Sequence, residues 1–576
     1  MSRHLLFMLI ASLAAVGGCA KPAAPLSAAA SAHHSTADTH SPPMAHAPAT
    51  VSDWAKGAML FDGLGEAHRP VTTSSADAQK YFDQGVRLMW AFNHDEATRS
   101  FAKAAELDPN CASCYWGVSL TVGPNYNLPF MVAERAHVAW DALAKAREHA
   151  AQASPVEQAL IAALASRYPD AQPLDPPRAR PILIAYAAAM KAVAERFPQD
   201  LDVQTLYAEA LMNINAWKLW RADGKPAPGT EEIVAMLESV LARNPKHPGA
   251  NHYYVHAIEA SPDPGRAVAS AERLKSSMPA AGHLVHMPAH ILQRIGRYEE
   301  AAEANRRAAA ADETYVGRTR PPDYYPVMYT AHNYQFLAYS TAMEGRRAET
   351  LAAADNSRRT VSDEMMLAMP GMDWYVAEQY AARIRFGLWD QMLAMAPPNP
   401  KLIGLTAAYL YGRGVALAAT GRLTESRTDL AELQQLAAAT PADAGAGQNA
   451  LRDVLAVAIP IVEARIATGD KRPTEAIVAL RIAVTAEDRL AYDEPKNWFF
   501  PARHLLGAAL VQDGKAREAE GTYREDLRQS PANGWALYGL AAALEAQGKT
   551  KEAAEAKDRF EEAWKHADVT LTSSAY

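Results

Sequence analysis

The chain has 576 residues, a formal net charge of −8 and 21% charged residues. That length exceeds a single compact core, so it implies several domains or an array of stacked units packed on their neighbours. No basic surplus is available to neutralise a phosphate backbone, which excludes nucleic acid as an expected partner. Alanine and leucine dominate and long β-branched runs are missing, a composition that favours helices.

Residues 1–18 read as an export signal, with Arg3 as its charged start and Leu5 to Leu13 as its apolar run. The run is too short to span a bilayer and reads as a processed segment. Its ending, Val16-Gly17-Gly18-Cys19, resembles a bacterial lipobox. The resemblance implies a lipid on Cys19, and the neutral Ala20 after it implies retention at the outer membrane, facing the periplasm. An ordinary cleaved signal with an incidental cysteine is the alternative. Residues 19–75, rich in His, Pro and Ala, are expected to form a disordered tether, because early in the stretch little apolar surface offsets the ordering entropy. His33, His34, His40, Met44 and His46 within it are either a chelating tract or incidental.

Helical repeats are expected from about Ala78. Gly85, Ala97, Phe101, Ala104 and Pro109 fall in the order small, small, aromatic, small, terminator; small residues let paired helices approach, and proline ends the second helix. Cys111-Ala112-Ser113-Cys114 follows. In an oxidising compartment a local disulfide is expected, with metal ligation and redox chemistry as alternatives; Tyr115 stands where haem attachment needs histidine. The turn-rich Gly123–Asn127 interrupts the array, and Asn125, Tyr126 and Asn127 form either a plain turn or a ligand-facing loop.

From Asn251 to Arg294 the chain carries His252, His256 and Glu259, then His283, His286 and His290. His252 and His286 lie 34 residues apart, as do His256 and His290, Pro245 and Pro279, and Ala267 and Ala301. A 34-residue period is that of a tetratricopeptide helix–turn–helix repeat. Histidines four apart share one helix face, and equivalent places on stacked helices bring the pairs together. Pro288 falls beyond its helix's first turn and is expected to kink it between His286 and His290. Further on, a Gly-Arg/Lys turn followed by Glu-Ala recurs at Gly296, Gly514 and Gly548, with weaker copies at Gly345 and Gly421. Joints are expected at 317–326, 397–400 and 445–447, dividing the chain into arrays over 76–400 and 401–576.

On these residues the chain resembles a bacterial tetratricopeptide-repeat lipoprotein, closely at 78–111, 248–308 and 500–535 and loosely between. The resemblance implies an all-α solenoid with a concave groove lined by the first helix of each repeat, a surface that usually binds proteins or peptides. Its groove-facing positions would hold His252, His256, Glu259, His283, His286 and His290. A secondary set comprises Glu209, His332 and Gln335. Imidazole with carboxylate suits Zn, Cu, Ni or Fe, so a bound transition metal is the leading expectation. A polar ligand or peptide groove without metal, and plain packing, are the alternatives. No His-Glu-x-x-His, phosphate-binding or dinucleotide motif appears, so a binding protein is expected before a metal-dependent hydrolase or oxidase. Trp498, Phe499 and Phe500 beside His504 read as core.

Overall fold

The repeats are fastened by aromatic rings gripped between glycines. Phe101, on the helix His94–Leu107, is fully buried. A Cβ on Gly85 would lie 2.6 Å from its ring, and one on Gly117 2.5 Å. Only glycine lets the helices Ala76–Trp90 and Ala112–Thr121 close on that ring from both sides. The device recurs at the far end, where Tyr523 lies between Gly507 and Gly539, whose added Cβ atoms would sit 2.3 and 2.2 Å away. The recurrent turn glycines also have a backbone reason. Gly296, Gly345, Gly421, Gly514 and Gly548 all adopt φ between +72° and +80°, the left-handed conformation that ends a helix without a Cβ clash.

The computed structural model describes residues 47–129, 131, 133–174, 178–321 and 325–576. Over them the chain is an α-solenoid of tetratricopeptide-like helix pairs. Gly445–Ala446 and Asn449–Ala450 form a small antiparallel hairpin in the small-residue joint. No helix among the described residues is long and apolar enough to cross a membrane. Residues 1–18, Cys19 and the histidines of 33–46 lie outside the described residues.

The tether expected over 19–75 extends too far. The helix Val51–Ala55 packs on the helix His94–Leu107, and Trp54 is buried beneath the guanidinium groups of Arg99 and Arg135. Arg69 then pairs with Asp200 at 3.0 Å and Asp202 at 2.8 Å. These residues lack helical periodicity, but Trp54, Phe61 and Leu64 bury enough surface to order them. One apolar cluster runs from Val327 through Ala556, across the division expected at residue 400.

The array is not an open coil. Trp535 Nε1 donates to the Ala342 carbonyl at 2.7 Å. Both oxygens of Asp568 accept from the backbone N–H groups of Arg347 and Ala348, at 2.6 and 2.8 Å. Trp564 fills the space over Gly345, where a Cβ would meet its ring at 2.2 Å. The last repeats therefore fold back onto the middle ones.

Candidate metal centre

Four helices supply the histidines. Pro248–Glu259 carries His252, His256 and Glu259. At Pro288 the helix is interrupted at Met287 alone, whose backbone stays helical at φ −50° and ψ −34°, with Gly282–His286 before it and Pro288–Arg294 after it, because proline cannot continue the hydrogen-bond ladder. Across it His286 and His290, four residues apart on one face, meet Nε2 to Nε2 at 2.6 Å. A π-helical turn, Pro326–Thr330, leads into the helix Ala331–Met343, which carries His332.

His252, His256 and His283 each place one ring nitrogen within 4.8 Å of the others, and so do His286, His290 and His332. A third set of the same kind joins His256, Glu259, His290 and Glu494. His252 Nε2 lies 3.0 Å from His283 Nε2. All are buried except His332, which is partly exposed.

Neighbouring groups fix the rings. The Trp90 carbonyl accepts from His252 Nδ1 at 2.6 Å. Asn305 uses its amide nitrogen on the Ala301 carbonyl, so its oxygen accepts from His286 Nδ1, also at 2.6 Å. Glu259 Oε1 holds His256 Nδ1 at 2.9 Å. Anchoring one nitrogen to an acceptor sets the tautomer and leaves the other as a lone-pair donor, the usual support for a metal-ligating imidazole.

The carboxylates complete the polarity. Glu259 Oε2 and Glu494 Oε2 each stand 2.7 Å from His290 Nδ1. One N–H cannot point at both, and all three atoms lack an aligned hydrogen-bond partner. Burial drives His252 and His332 down to about 3. Burial also opposes charge on His290, but Glu494 and Glu259 outweigh it and hold the pKa up to about 10. Burial, then the nearby Glu494 charge, pushes Glu259 well above the usual carboxylate range. A proton on His290 thus occupies the space between two buried carboxyls, a position a cation would contest.

Irregular segments build the walls. Phe92 takes the place of a turn glycine at φ +53°, and its ring centroid lies 4.5 Å from His252 and 5.7 Å from His256. From the Gly123–Asn127 insertion, Tyr126 packs on His256 at 5.2 Å and Asn127 Nδ2 approaches His283 Nε2 at 3.4 Å. A cavity of about 510 Å³ opens over His283, His290, His332 and Glu494, with Met328, Met369 and Met372 also in its lining.

The structure brings His252, His256, Glu259, His283, His286, His290 and His332 together. It leaves Glu209 apart: that side chain accepts from Asn213 Nδ2 at 2.5 Å, near buried Arg167. Gln335 lines the cavity but spends its amide on the Tyr375 carbonyl and on Glu378. Glu494, from a loop far along the chain, had no signal in the repeat pattern. Cys111 and Cys114 form a disulfide at the start of Ala112–Thr121, and the Cys111 sulfur accepts from the Cys114 N–H.

No protein-family model matches the chain, and no curated protein matches it. Among solved structures it is similar to human IFIT1, described as a dimer with m7Gppp-AAAA, at 12% identity over 76% of this chain and 90% of that one, TM-score 0.32. It is also similar to the APC/C hetero-tetramer Cut9–Hcn1, at 13% identity over 84% of this chain and 76% of that one, TM-score 0.31. Neither likeness bears on what this chain binds.

Proposed function

We propose that the chain is an exported, lipid-anchored helical-repeat protein of the cell envelope that binds a transition metal in its buried histidine–glutamate centre. One observation carries the reading: buried His256 Nε2 and His283 Nδ1 have no hydrogen-bond partner, and beside them Glu259 Oε2 and Glu494 Oε2 both crowd the single His290 Nδ1 at 2.7 Å, in donor sets that share His256. Unpartnered buried polar atoms are destabilising, and a cation bound by nitrogen and carboxylate oxygen satisfies several together. Cys19 is the proposed anchor, and the groove of the array is the proposed surface for a protein or peptide partner.

The test is elemental analysis of the purified chain beside His256→Ala and His290→Ala. Metal retained at the wild-type level in both variants rejects the centre.

A second reading, metal-assisted hydrolysis or oxidation, draws support from the cavity that reaches His283, His290 and His332. An open position on a bound ion polarises a substrate or activates water. On that reading turnover survives deletion of the tether and disappears on Glu259→Gln.

A further inference from the structure

The geometry points to a binuclear copper centre: His252, His256 and His283 hold one ion, and His286, His290 and His332 hold a second. This rests on the metal-binding reading above and adds the number of ions and their identity.

The division follows from distance. Donors on opposite sides of one ion, at bonds of about 2.0–2.1 Å, are about 4.2 Å apart. Each histidine trio fits within 4.8 Å, yet the six do not form one such set. A single ion therefore cannot gather them all. Within each trio two Nε2 atoms already crowd together, His252 with His283 at 3.0 Å and His286 with His290 at 2.6 Å. Asn127 Nδ2 approaches the same His283 Nε2 at 3.4 Å.

Tautomers agree with the division. His252 and His286 must carry their protons on Nδ1, because the Trp90 carbonyl and the Asn305 oxygen only accept. Their Nε2 lone pairs then face inward, one into each trio. His256 Nδ1 faces Glu259, which leaves its partnerless Nε2 for the first trio. His290 Nδ1 faces Glu259 and Glu494 while its Nε2 meets His286. The carboxylates lie between the trios, where they hold ligand protons and offset the charge of two cations.

Copper is favoured by what borders the entrance. Met328, Met369 and Met372 line the cavity that reaches His283 of one trio and His290 and His332 of the other. Thioethers are soft ligands that select Cu(I) among biological cations, and three imidazoles suit the same ion. An ion passed inward along the methionines arrives at both trios through one mouth.

The experiment is an anaerobic Cu(I) titration of full-length protein against a chromogenic Cu(I) chelator. His33, His34, His40, Met44 and His46 are replaced by alanine throughout, so that only the buried centre is counted. Two ions per chain are expected. His283→Gln and His332→Gln should each retain one, with the apo-protein melting temperature reporting that each still folds. One ion per chain overturns the binuclear assignment and leaves metal binding standing; no metal of any kind overturns both. Two zinc ions with no Cu(I) uptake overturn the copper assignment. Loss of both ions in either single variant, at unchanged melting temperature, overturns the division into trios.

Discussion

Glu494 Oε2 lies 2.7 Å from His290 Nδ1, joining a loop of the C-terminal repeats to the histidine helices of the first core. Removing the charge while keeping the shape isolates its role. Glu494→Gln should weaken metal binding by about 10–100-fold, the usual effect of losing a carboxylate that supports a ligating histidine. Competitive chelator titration reads the affinity; an unaltered dissociation constant would place Glu494 outside the centre's electrostatics.

Phe92 holds a left-handed backbone conformation that its neighbouring repeats give to glycine. Strain of this kind is kept where the side chain is needed, here over three histidine rings. Phe92→Ala loses the ring and keeps the unfavourable φ; Phe92→Gly loses the ring and relaxes it. The glycine variant should be the more stable of the two by about 1 kcal/mol, and both should bind metal more weakly than wild type. Denaturant unfolding of the apo-proteins compares them, and equal midpoints would remove the claim of strain.

Gly117→Ala would drive a methyl against the Phe101 ring. Overpacking of this sort typically destabilises by about 1–3 kcal/mol. Adding Phe101→Leu to the same chain should recover part of the loss, because the two sites share one space. Thermal melts of the single and double variants settle it; strictly additive losses would mean the ring and the glycine do not compete.

Burial opposes ionisation of Asp202, but the hydrogen bond with His247 and the Arg69 charge outweigh it and hold the carboxyl down to about 2. A carboxyl lowered from 3.8 stabilises the fold above its unfolded pKa, and that contribution disappears as pH falls through the folded one. The window is therefore about pH 4 down to 2. Asp202→Asn should lose on the order of 2 kcal/mol at neutral pH, with the gap from wild type closing across that window. Unfolding free energies at pH 7, 4 and 2.5 follow the gap, and a pH-independent difference would contradict it.

Much of the centre was legible because it is written in a period. His252, His256, His286 and His290 sit in register, so stacking alone brings them together, and Gly85 with Phe101 marks the pair geometry. Glu494, Tyr126 and Met369 were illegible for a common reason. They lie on connections outside the repeat, and nothing in a non-periodic stretch says where it returns. Glu209 shows the converse: the resemblance implies a groove position for it, but Arg167 and Asn213 hold it elsewhere. Trp54 is illegible in the sequence because one aromatic in a polar stretch sets no pattern.

Trp535, Trp564 and Asp568 latch the final helices to the turn at Gly345. An unlatched superhelix stretches and recoils along its axis and admits guests by widening its pitch. This one is hooked at its own midsection, and every hook there opposes a change of pitch.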